Sequence, residues 1–307
     1  MKHHLTPLGK VCAAGLAVLI VGIGLWRLNA DDPTDQDQAS TKTVTTTKST
    51  KAAKSTSHPK PAPSKPTATT IAAQLKQQWQ PILAQHDEPI EIAVYSKQYD
   101  TTVALNSAND TTHTTASILK VTFLTELLHQ HAAANTTLTT SEQTNAQAAI
   151  EHSDNAAATA LYNEIGGASG VATAFANLGM SDSHAGTSGW VSTTTTAQDQ
   201  LKLLNTVFYN GDYLTSNSRE YIKGLMGSVA SDQNWGVSAG AKSSQLKNGW
   251  RLNYDDTWIV NSIGHLGSGE RSCTIAILTD HNASLDKGIA LVEELAKASG
   301  KVLNLAQ

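Results

Sequence analysis

The stretch Ser117-Ile118-Leu119-Lys120 opens a long helical pattern that is dense in Ile, Leu, Val and Phe and runs to His131. Residues three apart on a helix share a face, so Ser117 and Lys120 are predicted neighbours. Thr114-Thr115 suits a helix entry, which places Ser117 where the helix dipole favours negative charge. A lysine in an apolar setting has a lowered pKa and can take a proton from a serine hydroxyl. The stretch alone therefore predicts a buried helix that begins either with a capping serine and a solvated lysine or with a nucleophilic serine and its base.

Two further strings follow in a fixed order, Ser153-Asp154-Asn155 and then Lys247-Asn248-Gly249-Trp250. The Ser-x-x-Lys pattern alone is not specific, because it also occurs three more times, at Ser57–Lys60, Ser244–Lys247 and Ser284–Lys287. The Ser117 copy differs from these because it is followed by an apolar helix, a Ser-Asp-Asn and a Lys-x-Gly. The ordered triple is thus far more specific than any of its parts.

The triple resembles the penicillin-recognising serine hydrolases, that is, the class A β-lactamases and the D-alanyl-D-alanine peptidases. The resemblance implies that Ser117 is the nucleophile, that Lys120 and Ser153 handle protons, and that Lys247 supplies positive charge. It also implies four substrate-binding residues, Asn155, Asn248, Gly249 and Trp250. The backbone N–H groups of Ser117 and Trp250 are the implied oxyanion hole. Arg251 and Arg271 are alternative second contacts for a substrate carboxylate.

The chain departs from this family pattern at two functional positions. Asn248 stands where the family has Thr or Ser, which affects the choice of substrate. Class A β-lactamases also carry a Glu-x-x-Leu-Asn element whose Glu activates the hydrolytic water, and the corresponding residues 179–192 contain no Glu. Asp182 or His184 could replace that base. The absent Glu predicts an acyl-enzyme that persists, as in a penicillin-binding protein.

The hydrophobic periodicity predicts an α+β fold, an α/β sandwich with an antiparallel sheet flanked by helices. This is the β-lactamase/transpeptidase-like arrangement, and the short interval between Ser117 and Ser153 predicts a trimmed helical lobe. Predicted helices cover 70–85, 117–131, 146–165, 171–178, 197–210 and 284–299. Predicted strands cover 90–95, 102–105, 258–263 and 273–279, with a further strand through Gly249.

The sequence of the N-terminal part predicts that the protein is exported from the cytoplasm. Residues 11–26 are free of charge, Lys2 and Lys10 precede them, and Arg27 follows. We expect residues 1–30 to be an uncleaved membrane anchor with the C-terminal side outside, or alternatively a signal peptide whose cleavage gives a secreted protein. Residues 31–69 are rich in Thr, Ser, Lys and Pro and are predicted to be a disordered linker. The hydrolase-like domain then covers 70–307.

Composition narrows the possible functions further. A net charge of −4 gives no basic excess for phosphates, so no nucleic-acid partner is expected. Two distant cysteines predict neither a disulfide nor a cysteine metal cluster, and no metal or cofactor is expected. The sequence says nothing about oligomeric state.

Two functional hypotheses remain. The first is an extracytoplasmic serine hydrolase of the class A β-lactamase family, which acts through an acyl-serine on a β-lactam or a D-alanyl peptide or ester from peptidoglycan. The alternative is a non-catalytic, wall-associated penicillin-binding or sensor module, suggested by Asn248 and the missing Glu. The presence of Ser117, Lys120, Ser153 and Lys247 together favours the enzyme, because a binder needs no nucleophile with proton-handling groups.

Overall fold

The computed structural model describes residues 66–107, 112–209 and 211–305. The predicted anchor (1–30) and most of the predicted linker (31–69) lie outside the described residues. The first helix begins two residues earlier than predicted, at Ala68, since Thr67 caps it by accepting a hydrogen bond from the Thr70 backbone N–H. In the described part of the chain, no helix has the length and hydrophobicity that a membrane span requires.

The order of elements follows the predicted α+β pattern. The helices are α1 (Ala68–Leu83), α2 (Leu119–Ala133), α3 (Thr140–Glu151), α4 (Asn155–Glu164), α5 (Gly167–Asn177), α6 (Ala197–Phe208), α7 (Ser216–Met226) and α8 (Leu285–Leu303). The strands are β1 (Ile90–Ser96), β2 (Thr101–Asn106), β3 (His113–Thr114), β4 (Thr194–Thr195), β5 (Ser244–Leu252), β6 (Trp258–Ser268) and β7 (Arg271–Asn282).

Five of these strands form one antiparallel sheet in the order β2-β1-β7-β6-β5, and β3 pairs with β4 in a small second sheet among the described residues. Strand β5 pairs with β6 alone, so it forms an edge of the main sheet. The predicted fold class, an antiparallel sheet flanked by helices, is therefore confirmed.

The two faces of the sheet bury two separate cores. Side chains alternate along a strand, so Ile92 and Val94 of β1 face one core while Ala93 faces the other. Helices α1 and α8 cover the first face, with residues such as Trp79 and Leu295 fully buried. Helix α2 lies in the second core, among the other helices of the helical lobe. On this second face, α6 packs directly against β1, β6 and β7, whereas α2 packs against α3, α4, α5 and α7 within the lobe.

One predicted helix is wrong in a way that matters for the site. The sequence suggested a continuous helix over 146–165, but the chain breaks between α3 and α4. Ser153 adopts a left-handed backbone (φ 57°), and the Asp154 carboxylate caps α4 by accepting a 2.7 Å hydrogen bond from the Ala157 N–H. The Ala-rich periodicity concealed this break because a capping Asp and a left-handed Ser need no change in hydrophobic pattern.

Helix bounds elsewhere differ where capping chemistry decides them. Helix α3 begins at Thr140 because Thr139 and Glu142 form a reciprocal capping box. Helix α7 was not predicted, although Thr215 caps it through the Ser218 N–H. Both helix starts are polar, so the apolar pattern did not mark where these helices begin. Helix α7 itself has apolar residues at helical spacing, Tyr221, Ile222, Leu225 and Met226, a signal that the prediction missed.

Candidate active site

Ser117 lies in a tight turn at the entry of α2. Residues Ala116–Ile118 form a 3₁₀ turn, and α2 begins two residues later than predicted, at Leu119. Ala116 has a positive φ of 47°, an uncommon conformation for a residue with a Cβ. The Ser117 side chain is half-buried whereas Ile118 and Leu119 are fully buried. The strained turn thus presents the serine at the surface of the core.

The turn is fixed to the sheet by Asn261, a fully buried residue in the middle of β6. Its Nδ2 donates to the carbonyls of Thr114 and Thr115, at 2.8 and 3.2 Å, and its Oδ1 accepts from the Thr279 N–H. The Thr115 hydroxyl donates to the Thr193 carbonyl across the small second sheet. Sequence reasoning missed Asn261, although a polar Asn-Ser pair inside the apolar run of β6 was a visible signal.

Strand β5 runs directly against this turn at Gly249. A Cβ placed on Gly249 would lie 2.8 Å from the Ser117 backbone nitrogen and 2.8 Å from the Thr115 carbonyl oxygen, so any larger residue would push the two segments apart. Trp250 follows in the strand and pairs with Val260. The structure therefore brings together the two segments whose N–H groups were predicted to form an oxyanion hole.

Lys120 is the second residue of α2, and its side chain is fully buried. It donates to the Ser153 carbonyl at 2.6 Å, to the Asn155 Oδ1 at 2.9 Å and to the Ser153 Oγ at 3.3 Å. These partners all come from the turn between α3 and α4. Within the described residues, no hydrogen bond joins the Lys120 amine to the Ser117 hydroxyl; such catalytic contacts are often longer before substrate binds.

The Ser153 hydroxyl lies between the two lysines. Lys247 is 1 % exposed, and its amine donates to the Ser153 Oγ at 2.9 Å. The same amine donates to the carbonyl of the next residue, Asn248, at 3.2 Å. Lys120 contacts the same oxygen at 3.3 Å from the other side. A hydroxyl that accepts from one amine can donate to another, so Ser153 can pass a proton between Lys247 and Lys120.

The buried lysines have perturbed acidities. Burial lowers the pKa of Lys120 to about 8, and the nearby Asp154 carboxylate limits that shift. Burial also lowers the pKa of Lys247 well below its usual value, and the positive charge of Lys120 lowers it further. An amine with a pKa near neutrality is available in its unprotonated form and can accept the proton of a serine.

Asn155 and Asn248 were both predicted to contact substrate, and the structure places them differently. Asn155 is exposed and accepts from Lys120. Asn248 is 1 % exposed, and its Nδ2 donates to the Gln233 carbonyl at 2.8 Å and to the Trp235 carbonyl at 3.1 Å. The Asn248 side chain thus faces the 233–235 segment, on the side of β5 opposite to Lys247, and both its amide hydrogens are already used.

The 233–235 segment connects back to Ser153. The Gln233 Nε2 donates to the His152 carbonyl at 2.9 Å, directly before Ser153, and the Ala230 N–H donates to the Glu151 carbonyl at 2.9 Å. Asn248 therefore holds a segment that in turn holds the Ser153 turn. Sequence reasoning missed Gln233, and its place in the chain gave no signal for this role.

The structure distinguishes the two arginines. Arg251 lies on the same face of β5 as Lys247 and Gly249, because residues two apart in a strand share a face. Its Nη1 donates to the Val191 carbonyl at 3.1 Å. Arg271 begins β7 and lines a separate cleft with Gly267 and Leu305. Only the position of Arg251 is beside the candidate site. On the outer side of β5, the ring of Trp250 packs edge-on against Trp235, with centroids 5.6 Å apart.

Residues 179–196, here called the 179–196 loop, connect α5 to α6. Asp182 and His184 are exposed in it, and among the described residues neither side chain hydrogen-bonds to Ser117 or Lys120. Instead Trp190 faces Lys120: the amine lies 5.5 Å from the centroid of the indole ring. The loop thus presents an aromatic ring to the Lys120 amine.

The model of the Beta-lactamase enzyme family matches residues 136–303. The match includes Ser153, Asn155 and the Lys247–Trp250 string, while Ser117 and Lys120 precede it. No curated protein matches the chain.

Solved structures of this kind share the fold at low identity. A class A beta-lactamase from Bacteroides cellulosilyticus aligns with a TM-score of 0.66 at 15 % identity, over 76 % of this chain and 98 % of that one. A beta-lactamase from Streptosporangium roseum gives 0.64 at 19 % identity, over 76 % and 99 %. A variant of PBP-A, solved as an acyl-enzyme complex with penicillin G, gives 0.63 at 16 % identity, over 76 % and 96 %.

Proposed function

Because the chain belongs to the beta-lactamase enzyme family, we propose that it is an extracytoplasmic serine hydrolase of the penicillin-binding type. Its substrate is a β-lactam or a D-alanyl peptide or ester of the cell wall, and Ser117 carries the acyl group. The observation that supports this most directly is the shared Ser153 hydroxyl, held at 3.3 Å from the Lys120 amine and 2.9 Å from the Lys247 amine.

The proposed acylation uses each group of the site once. The Ser117 Oγ bonds to the substrate carbonyl carbon while Lys120, unprotonated, accepts the hydroxyl proton. The N–H groups of Ser117 and Trp250 stabilise the oxyanion, each contributing a few kcal/mol. The C–N bond of the β-lactam, or the C–N or C–O bond of the D-alanyl substrate, then breaks. The proton reaches the leaving nitrogen or oxygen through Ser153, and Lys247 attracts the substrate carboxylate.

The release step is proposed to be slow. The 179–196 loop carries no Glu, and its Trp190 ring faces Lys120. Water that attacks an acyl-serine needs a base within hydrogen-bond reach. The same feature supports the second candidate function, a wall-associated sensor in which the persistent acyl-serine is itself the signal. The two differ in whether a D-alanyl substrate is turned over.

Export and anchoring are part of the proposal and derive from the sequence alone. The uncharged residues 11–26 follow lysines and precede the Thr/Ser/Lys/Pro-rich segment, which suits a tether between a membrane and a wall-facing domain. Cleavage after the apolar segment would give a secreted form of the same enzyme.

Intact-mass spectrometry of the full chain with benzylpenicillin tests the proposal. We expect one adduct of the mass of the drug, located on Ser117 by peptide mapping and lost in Ser117→Ala. Ser244→Ala is the matched control, since Ser244 opens another Ser-x-x-Lys, in β5, and should retain the adduct. An adduct that persists in Ser117→Ala would contradict the assignment. Absence of any adduct and of turnover with β-lactam and D-alanyl substrates would overturn the proposed function.

A further inference from the structure

Trp190 is anchored on several sides. Its indole Nε1–H donates to the Thr159 Oγ1 of α4 at 3.2 Å, and its ring meets Phe123 of α2 edge-on, with centroids 5.9 Å apart and planes at 86°. Gly189, immediately before it, has a φ of 99°, which a side chain would strain. Arg251 holds the next carbonyl, at Val191, from β5. The ring is therefore fixed relative to α2, α4 and β5.

The Lys120 amine contacts both polar partners and the Trp190 ring. An ammonium group has three donors, and the turn between α3 and α4 provides three acceptor contacts, from Ser153 and Asn155. The indole face lies 5.5 Å from the nitrogen, within the range of a cation–π contact. A ring at this place supplies neither a proton acceptor nor a site for ordered water.

The buried carboxylate next to the 179–196 loop is engaged away from Lys120. Asp199, at the start of α6, is fully buried; its Oδ2 accepts from the Ser183 hydroxyl and the Asp182 N–H, both at 2.8 Å, and its Oδ1 pairs with Lys202 at 2.7 Å. The charged groups that act on Lys120 are instead Asp154, at the cap of α4, and Lys247 of β5.

We propose that Trp190 is a positioning residue that directs the Lys120 amine towards Ser153 and excludes water from the loop side of the amine and of the acyl-serine. This inference rests on the proposed function and deepens it, because it assigns the persistence of the acyl-enzyme to a particular side chain. Removing the ring gives water access to Lys120, which weakens the effect of burial on the amine and opens a path to the ester.

The test compares Trp190→Ala with wild type in two measurements on the full chain. The first is the lifetime of the benzylpenicillin adduct; the second is the pH dependence of the acylation rate. We expect Trp190→Ala to lose the adduct roughly tenfold faster or more. The midpoint of the acylation profile should move up by about one pH unit as the amine becomes hydrated.

Three further variants separate positioning from folding. Trp190→Phe keeps a ring over the amine and should keep most of the adduct lifetime, and Thr159→Val removes only the indole anchor and should give a smaller effect than Trp190→Ala. Trp258→Ala is the matched control, a half-buried tryptophan at the start of β6 that packs on the other core. It should leave lifetime and profile unchanged. If Trp190→Ala does not fold, Thr159→Val and Trp190→Phe carry the comparison.

A second readout separates this inference from the proposed function. The ¹³C NMR titration of the Lys120 Cε, assigned with Lys120→Met, requires no substrate. If penicillin acylates no variant but the titration of Lys120 shifts in Trp190→Ala, the proposed function fails, whereas the effect of the Trp190 ring on the Lys120 amine is supported. If the titration, the acylation profile and the adduct lifetime are all the same in folded Trp190→Ala and wild type, the role of Trp190 is overturned.

Discussion

The two regions that flank Lys120 differ sharply in chemistry. The turn between α3 and α4 provides three polar contacts to the amine, and strand β5 adds a second buried lysine through the shared Ser153 hydroxyl. The 179–196 loop provides the Trp190 ring, and the carboxylate of Asp199, just after the loop, holds the loop itself. The first region is equipped to move protons, and the second is not.

This difference bears on the two halves of an acyl-transfer reaction. Formation of an acyl-serine requires a base beside the nucleophile and a donor for the leaving group, and the turn side contains both. Release by water requires a base on the face from which water attacks. The comparison therefore predicts an enzyme that acylates readily and deacylates slowly.

Replacing the base on the turn side should have the largest effect. Lys120→Met preserves the length of a buried side chain and removes its amine, so the acylation rate with benzylpenicillin should fall by roughly 10²- to 10⁴-fold, the usual contribution of a positioned base. Stopped-flow or quenched-flow labelling gives the rate. Lys297→Met, on the exposed side of α8, is the control and should react normally. A Lys120→Met protein that acylates at the wild-type rate would remove Lys120 from the mechanism.

The pH profile should report the same amine. Burial lowers the pKa of Lys120 to about 8, and only the unprotonated amine accepts a proton from Ser117. The acylation rate should therefore rise about tenfold per pH unit below that value and level off above it. A profile that is flat between pH 6 and 9 would show that another group is the base.

On the loop side, Glu91 should make stability depend on pH. This carboxyl of β1 lies near Asp199 and Asp182, and burial, then these charges, raise its pKa to about 7, while the backbone N–H groups of Ala197 and Gln198 lower it. The folded protein therefore binds a proton that the unfolded chain has lost above about pH 4.5, so stability falls as pH rises from about 4.5 to 7.

Glu91→Gln removes this ionisation and should flatten the dependence. Between pH 5 and 8, the free energy of unfolding of the variant should gain up to about 3 kcal/mol relative to wild type. Urea denaturation at both pH values measures this difference. An equal difference between the two proteins at both pH values would mean that Glu91 ionises normally.

Substitution of Asn248 should have the smallest effect, and the property that changes should be stability. Asn248→Ala leaves the buried carbonyls of Gln233 and Trp235 without their donor, which should lower the free energy of unfolding by about 1 to 3 kcal/mol. Asn248→Thr should be similar, since one hydroxyl cannot donate to two carbonyls. Urea unfolding gives the magnitude. A stable Asn248→Ala that instead loses affinity for substrate would restore the predicted substrate contact.

Much of the candidate site could be predicted from sequence because motif order encodes it. Lys120, Ser153 and Lys247 lie together, and the Ser117 backbone lies beside Gly249 of the strand that carries Lys247. The direction of Asn248 was also within reach: side chains alternate along a strand, so Lys247 and Gly249 on the cleft side place Asn248 on the other. Likewise, the sheet and its two flanking helix layers followed from periodicity.

Other features depend on contacts between residues distant in the chain. Trp190 meets Lys120 only because the 179–196 loop folds back onto α2, and local sequence contains no measure of that approach. Gln233 supports His152 from the end of a short 3₁₀ turn, Ser231–Gln233, which is distant from His152 in the chain. The break at Ser153 depends on an αL backbone and a capping Asp, which hydrophobic periodicity does not detect.

A pre-steady-state experiment with a chromogenic cephalosporin tests whether acylation is fast and deacylation slow, because it follows both halves of the reaction on the full chain. We predict a rapid burst of about one product per Ser117, followed by a much slower steady rate set by deacylation. Linear turnover from the first moment, with no burst and no accumulating adduct, would contradict the account by showing that the loop side activates water as effectively as the turn side activates Ser117.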